Sequence, residues 1–288
     1  MDASQFAEFW RRQGYRVVET KSCFWYNPYH RFGFLSIPYH RLIDPSEVEC
    51  ANVFVSGPAV MLGYSTLAKG DNGDSWLFVC PDKNYAFHSL EKKARNQTRR
   101  GIENCKIEQI DFGYLAKAGQ VLNEQTLNRQ RRNSRDVTGE RWIRYCTAAS
   151  GIGDFQAWGA FVEGELASCM VTALIEDCLS ILHQSSLDES LKHYSNNALI
   201  FTVTKLKLAC PEINIVSYGL RGLENSTGLD HFKFSMGFGK RPFHRRLVIN
   251  PVLRPMLALG GRKLISTVAQ KSAEKSFWRY VAGVLERV

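Results

Sequence analysis

What this chain has little of narrows the field first. Its eight cysteines, Cys23, Cys50, Cys80, Cys105, Cys146, Cys169, Cys178 and Cys210, form no Cys-x-x-Cys and no Cys/His spacing of the zinc type. A metal site is therefore not expected. There is no Gly-x-Ser-x-Gly elbow, no Walker loop, no His-Glu-x-x-His and no dinucleotide Gly-x-Gly-x-x-Gly. Hydrolases of the nucleophile-elbow type, nucleoside triphosphatases and zincins fall away. No apolar run approaches the roughly 20 residues that a membrane span needs. The opening MDASQFAEFWRRQGY has an acid at position 2 and no apolar segment, so it does not read as a signal peptide. The expected compartment is the reducing cytoplasm, where thiols such as Cys169 and Cys178, set in apolar patterns, behave as small buried hydrophobes. The glycosylation patterns Asn96-Gln-Thr98 and Asn225-Ser-Thr227 are then coincidental.

Acidic residues are also short: 28 Asp and Glu against 37 Lys and Arg give a net charge of +9, which attracts polyanions such as nucleic acid, phosphorylated cofactors or acidic membranes. What is present is ordinary globular material, 44% hydrophobic with 12% aromatic. At 288 residues, two packed sub-domains are expected.

Along the chain, residues 1–58 show no sustained period and read as irregular structure with short strands. Strands at 60–67 and 75–80 flank the turn cluster Lys69-Gly-Asp-Asn-Gly-Asp74 and suggest a hairpin. A helix over 89–101 opens at Ser89 and stops at Gly101, read as its C-terminal cap. A strand follows at 106–110, then two helices within 112–150 around an Arg-rich stretch at 129–135, read as an inter-lobe region. Strands at 155–162, 166–175 and 178–185 form an antiparallel meander with tight turns at Glu163-Gly164 and Glu176-Asp177. A helix over 196–210 carries the stripe Leu199, Val203, Leu206, Cys210 and ends at Pro211. The apolar run 213–218 fits a buried strand, parallel to 178–185 through that helical crossover. A short helix at 228–236, a strand at 241–249 and a tail helix at 267–288 complete the reading. The expected domains are a lobe over 1–112, a helical connector 113–137, a second lobe 138–250 and a tail 251–288.

The order β-β-β-α-β-α-β resembles the GNAT acyltransferase fold over residues 138–250. Three segments sharpen the likeness. Lys92-Lys-Ala-Arg-Asn-Gln-Thr-Arg-Arg-Gly101 resembles the basic helix of the Fem-like peptidyltransferases and their acetyltransferase relatives, Ala160-Phe-Val-Glu-Gly-Glu-Leu-Ala167 their first meander hairpin, and Gly228-Leu-Asp-His-Phe-Lys-Phe-Ser-Met-Gly-Phe238 their F-K-x-x-x-G-F segment. The resemblance implies a mixed α/β (α+β) fold of two tandem GNAT-like lobes with a central mixed sheet. It also implies transfer of an acyl group from acyl-CoA of the acetyl-CoA class to an amine or hydroxyl on a small molecule or peptide, by direct attack and without a metal. N-acyl transfer is the leading form. The alternatives are aminoacyl-tRNA as donor, as in the Fem-like enzymes, and a non-catalytic binding module that keeps the fold.

The site expected from this likeness lies where strands 178–185 and 213–219 part, beyond the carboxyl ends of an open sheet. Gln184, Ser185, Ser195, Asn196 and Asn197 are the candidate donor contacts, the last three at a helix N-terminus that favours anions. The glycine loop usual in GNAT enzymes is replaced there by Ser190-Leu-Lys-His-Tyr-Ser-Asn-Asn197. Lys233 matches the family lysine near the acyl group, where an ammonium stabilises negative charge; its plainer reading is an exposed helix lysine. His183 is the candidate general base, against a hydrogen-bonded structural histidine. His231 and Tyr218 complete the catalytic candidates, with Asp188 or Glu189 as another base. Lys92, Lys93, Arg95, Arg99 and Arg100 offer a phosphate-binding face for tRNA, against a solvated helix face. The tail helix, with Trp278 and Tyr280 beside Lys275 and Arg279, suits either packing on the first lobe or contact with an anionic membrane surface.

Overall fold

The computed structural model describes residues 1–28, 33–57, 59–68, 74–130, 137–221 and 227–253. The chain forms two compact units, one of Met1–Gln5 with Leu77–Arg241, the other of Phe6–Trp76 with Pro242–Val288. Residues 77–112, assigned to the first lobe by sequence, lie in the unit that also holds 113–241. The expected loop at 69–73, most of the Arg-rich stretch (131–136) and the tail helix at 267–288 fall outside the described residues.

The Phe6–Trp76 unit holds α1 (Ala3–Arg12) apart from its first residues, β1 (Val17–Glu19), β2 (Phe24–Tyr26), β3 (Gly33–Ile37), α2 (Glu47–Ser56) and β4 (Met61–Thr66). Irregular structure with short strands was expected over 1–58; the short strands are present as β1, β2 and β3, and the helices α1 and α2 were not foreseen, because the aromatics of this stretch have no single period. Phe6 and Phe9 are fully buried at helical spacing. Ser46 caps α2 through a capping box with Glu49. Trp25, Phe34, Val53, Leu62 and Tyr64 share one core with Cys23 and Cys50. β3 and β4 run parallel through α2 as crossover, pairing Gly33 with Met61, Phe34 with Leu62 and Leu35 with Gly63. The other edge of β4 pairs antiparallel with the strand at Gly239–Ile249. The expected hairpin of 60–67 with 75–80 therefore does not form, because the last strand and β3 take both edges of β4.

The other unit contains β5 (Asp74–Cys80) from Leu77, α3 (Lys92–Asn104), β6 (Lys106–Ile110), α4 (Phe112–Arg129), α5 (Gly139–Ser150), β7 (Phe155–Val162), β8 (Glu165–Ile175), β9 (Cys178–Ser186), α6 (Ser195–Leu208), β10 (Ile215–Leu220) and α7 (Thr227–Ser235). Its strand order is β5-β10-β9-β8-β7-β6. The meander β7-β8-β9 is antiparallel as expected, its turns using Glu163 and Gly164 at φ 52° and 88° and Glu176 at φ 59°. The expected final strand is present as β11 (Gly239–Ile249). β10 takes β5 as its antiparallel neighbour.

Neighbouring strand residues face opposite sides, and the helices divide accordingly. α4 and α5 pack on one face of β7, β8 and β9, and α6 covers the other, with α3 laid against α6. The segment expected as connector is thus part of this unit. Trp142 of α5 is fully buried, donates to Leu115 O at 3.2 Å and lies against Gly119, where a Cβ would come within 3.0 Å of its ring. α3 does not stop at Gly101: it runs to Asn104, and Gly101 lies inside it because a Cβ there would stand 2.6 Å from Tyr194 O at the start of α6. The buried face of α6 includes Leu199, Val203, Thr204 and Leu208, while Leu206 is 51% exposed. The predicted stripe drifts off the core after Val203, since a 3.6-residue period brings Leu208 inward in its place.

Candidate active site

β9 and β10 are parallel and share three rungs: Ile215 with Cys178, Val216 with Leu179, Ser217 with Ser180. Both strands then break register. In β9 Leu182 stands out of the ladder, because Thr172 faces Ile181 and the next rung joins Val171 to His183. In β10 the pairing with β5 shifts between Ser217 and Leu220, and Gly219 adopts φ 76°. Beyond the last shared rung both strands are bulged, a device found beside many active sites. The two strands are adjacent and parallel, as expected from the sequence, and the expected slot would lie where their pairing ends.

Lys233 of α7 is brought to this slot. It is only 6% exposed, so the plainer reading, a solvent-facing lysine, does not hold. Its Nζ donates to Tyr218 O at 2.8 Å and lies 4.3 Å and 4.7 Å from the ring centres of Phe78 and Tyr218. Burial pulls its pKa down to about 8, opposed by the charge of Asp230. That acid is itself 3.9 Å from Arg221. The ammonium thus rests on a neutral carbonyl and two aromatic faces, an arrangement that leaves positive charge to act on a ligand.

Tyr218 continues the site. Its hydroxyl donates to Gln184 Oε1, and burial raises its pKa above the usual tyrosine value. Gln184 Nε2 donates to Asn196 Oδ1 at 2.9 Å, and Asn196 Nδ2 donates to Ser186 Oγ at 2.9 Å. Ser186 Oγ also accepts from Arg129 at 3.0 Å, and Arg129 pairs with Asp188. Thr126 Oγ1 of α4 accepts from the Ser186 amide at 3.0 Å and from Arg129 at 3.1 Å. Sequence reasoning missed Phe78, Thr126, Arg129 and Ser186. A signal existed for α4, where Asn123, Thr126 and Arg129 recur every three residues as a polar stripe.

Other candidates are placed elsewhere. His183 faces α4 and α5, bonded to Asn123 Oδ1 at 2.7 Å, 4.8 Å from the Trp142 ring centre, and held near pKa 4 by burial. It stays neutral on the sheet face opposite Gln184, where it packs and does not meet the Lys233 site. Ser185 is hydrogen-bonded to Cys169 at 3.1 Å. Ser195 is fully buried with its Oγ unpartnered, and Asn197 donates to Met236 Sδ at 3.4 Å. Of the three predicted helix-terminal contacts, only Asn196 faces the site network. His231 and Glu189 are exposed, and Asp188 is occupied by Arg129. Lys92, Lys93, Arg99 and Arg100 are exposed along α3, whereas Arg95 turns back to Leu90 O at 3.0 Å. Arg99 covers the Phe87 ring at 5.1 Å, and that ring stacks on Phe201 at 4.6 Å. A shallow hollow of about 500 Å³ lies at the β6–β7 edge, bordered by Glu103, Lys106, Glu108 and Phe161, and none of the slot residues lines it.

No family model and no curated protein matches the chain. Solved structures do match. FemX is 12% identical with a TM-score of 0.61, the match covering 89% of this chain and 93% of that one. The C-terminal domain of a putative lysylphosphatidylglycerol synthetase from Agrobacterium fabrum is 9% identical, TM-score 0.60, covering 93% of each chain. L-PGS from Bacillus licheniformis is 13% identical, TM-score 0.57, covering 91% of this chain and 92% of that one. At these identities the likeness establishes the fold, a mixed α/β architecture of GNAT type. Among the described residues no helix is long and apolar enough to cross a membrane.

Proposed function

We propose that this chain is an acyltransferase that moves an acyl group from an activated donor directly to an amine or hydroxyl of a small molecule or peptide. The observation that carries the reading is the slot between β9 and β10 with the buried Lys233 ammonium beside it. An amine attacking the donor's carbonyl carbon forms the new C–N bond and puts negative charge on the carbonyl oxygen. Lys233 stabilises that charge in a site where water is scarce. Collapse breaks the bond to the donor's sulfur or oxygen, and the proton lost by the amine ends on that leaving atom by way of solvent. With His183 on the far face, no side-chain base is assigned.

Two donors remain in view. Acyl-CoA is the first, its thioester in the slot and its phosphates near the first turn of α6. Aminoacyl-tRNA is the second. It is supported by the exposed cations of α3 and by the inward-facing Ser195 and Asn197, which leave less of that helix end open to phosphates.

The test is a thermal-shift panel of acetyl-CoA, palmitoyl-CoA and charged tRNA, followed by turnover with whichever stabilises the protein. Lys233→Met should lower turnover by roughly 10²–10³-fold while donor binding persists. Unchanged turnover would remove Lys233 from the chemistry, and a protein stabilised by none of the donors would be a binding module that has kept the fold.

A further inference from the structure

The slot is crossed by one side-chain hydrogen bond, from Tyr218 on β10 to Gln184 on β9. It lies just past the last shared rung, Ser217 with Ser180, where the backbones have ceased to pair. Gln184 is held from its other end by Asn196 in the first turn of α6 at 2.9 Å. Asn196 is fixed in turn on Ser186, at 2.9 Å, and Ser186 on Arg129, at 3.0 Å. Gln184 therefore ties the slot to the N-terminus of α6, and its amide occupies the route between them. The tie is firm because each amide in it has both ends engaged, so releasing Gln184 leaves Tyr218, Asn196 or both without a partner. It is not a proton wire: a guanidinium and two carboxamides do not pass protons at neutral pH.

Donors differ in whether they need that route. A pantetheine thioester with its phosphates at the end of α6 must run its arm from helix to slot. An aminoacyl ester at the 3′ end of an RNA presents its carbonyl at the mouth, its phosphates elsewhere. We propose that the Tyr218–Gln184 bond is a specificity filter on the donor's carrier, admitting acyl groups delivered at the mouth and excluding carriers whose arm lies along the first turn of α6. The inference rests on the reading of the slot as an acyl-transfer site and names the donor class that the intact protein takes.

The experiment uses the full chain and two probes, acetyl-CoA and an RNA minihelix carrying alanine on its 3′ end. Binding and transfer are measured for the wild type, Gln184→Ala, Tyr218→Phe and the double variant. Tyr218→Phe keeps the ring beneath Lys233 and removes only the bridging oxygen. Each single variant is expected to raise the affinity for acetyl-CoA relative to the minihelix by at least tenfold. The double variant should add little beyond either single one, because both remove the same bond. Thermal melts confirm that all four are folded. A preference unchanged in both single variants, or effects that simply multiply in the double variant, would overturn the filter while leaving acyl transfer standing. Wild type and variants that bind and use neither probe would bring down the acyl-transfer reading and the filter with it.

Discussion

Both units contain a β-α-β crossover whose parallel strands share three rungs, β3 with β4 through α2 and β9 with β10 through α6. They differ in what lies beyond the last rung. Past Leu35 and Gly63 the chain leaving β3 returns, and Ile43 N donates to Ser65 O at 2.9 Å, with Trp25 and Tyr64 packed edge to face at 6.0 Å in the core nearby. Past Ser180 and Ser217 the strands bulge apart, and an ammonium, a phenol and two carboxamides line the opening. The same local topology thus yields a filled core in one case and a candidate site in the other. Fold alone does not specify chemistry; the side chains at the divergence do.

Emptying the filled side should give the largest effect, and it should be confined to stability. Trp25 is fully buried and also donates to Thr20 Oγ1 at 3.0 Å. Trp25→Ala is expected to cost about 3–5 kcal/mol, read by denaturant unfolding, with turnover per folded molecule unchanged. A loss of turnover out of proportion to the folded fraction would show that the aromatic core of this unit serves the reaction, and the comparison would break.

The open side is better probed by pH. In the proposed reaction Lys233 acts as a cation, so its pKa near 8 predicts that kcat/KM falls as pH rises through about 8. The residual activity of Lys233→Met should lack that limb. Stability moves the other way. The folded pKa lies below the unfolded 10.5, so the unfolded chain binds the extra proton between about 8 and 10.5. Unfolding free energy therefore rises across that window and loses this contribution as pH falls to 8. Lys233→Met, which removes a buried charge that Asp230 only partly offsets, should stabilise the fold at pH 7 by roughly 1–3 kcal/mol. A variant less stable than wild type would mean that the ammonium is satisfied by the protein alone. His183 provides the contrast: His183→Gln should cost about 1 kcal/mol of stability and leave the limb near pH 8 in place.

The strands that flank the proposed slot were legible because their determinants are local. The meander has alternating strands and turn pairs such as Glu163-Gly164, and β10 is a short apolar run after a helix and a proline. Strand partners were not legible: nothing local tells 75–80 to pair with β10, or 241–249 with β4, since pairing is a long-range choice. The face of His183 was hidden for a related reason. Alternation permits one face for His183 and the other for Gln184, and the bulge at Leu182 shifts the phase between them and the well-read start of the strand. Lys233 could be found from its segment, whereas its burial could not, because Phe78 comes from a strand more than 150 residues earlier. The Ser46-x-x-Glu49 capping box was readable and marks a helix in a stretch that otherwise appears irregular.

That box supplies the smallest test, directed at the two crossover helices. α2 is closed at its start by side chains: Ser46 Oγ accepts from Glu49 N at 3.3 Å, and Glu49 accepts from Ser46 N at 3.0 Å and from the Ser22 amide at 2.7 Å. α6 begins at Tyr194 with φ 55° and no side-chain cap. One helix end is thus closed by side chains of its own chain, and the other has no side-chain cap. Ser46→Ala should cost about 1 kcal/mol, seen as a fall of a few degrees in Tm. The Glu49 carboxyl adds a pH signature. Burial works to raise its pKa, but the hydrogen bonds from Ser46 and Ser22 outweigh it and hold the pKa below the usual carboxylate value. Its contribution is therefore complete above that usual value and is lost as pH falls through the depressed one. The Ser46→Ala penalty should shrink in acid, because the variant lacks the bond that Ser46 Oγ donates to the Glu49 carboxylate at 3.3 Å, and that bond weakens in the wild type once the carboxyl is protonated. A penalty that stayed constant down to the acid transition would mean that the hydroxyl cap acts alone, and the reciprocal box would not be what separates α2 from α6.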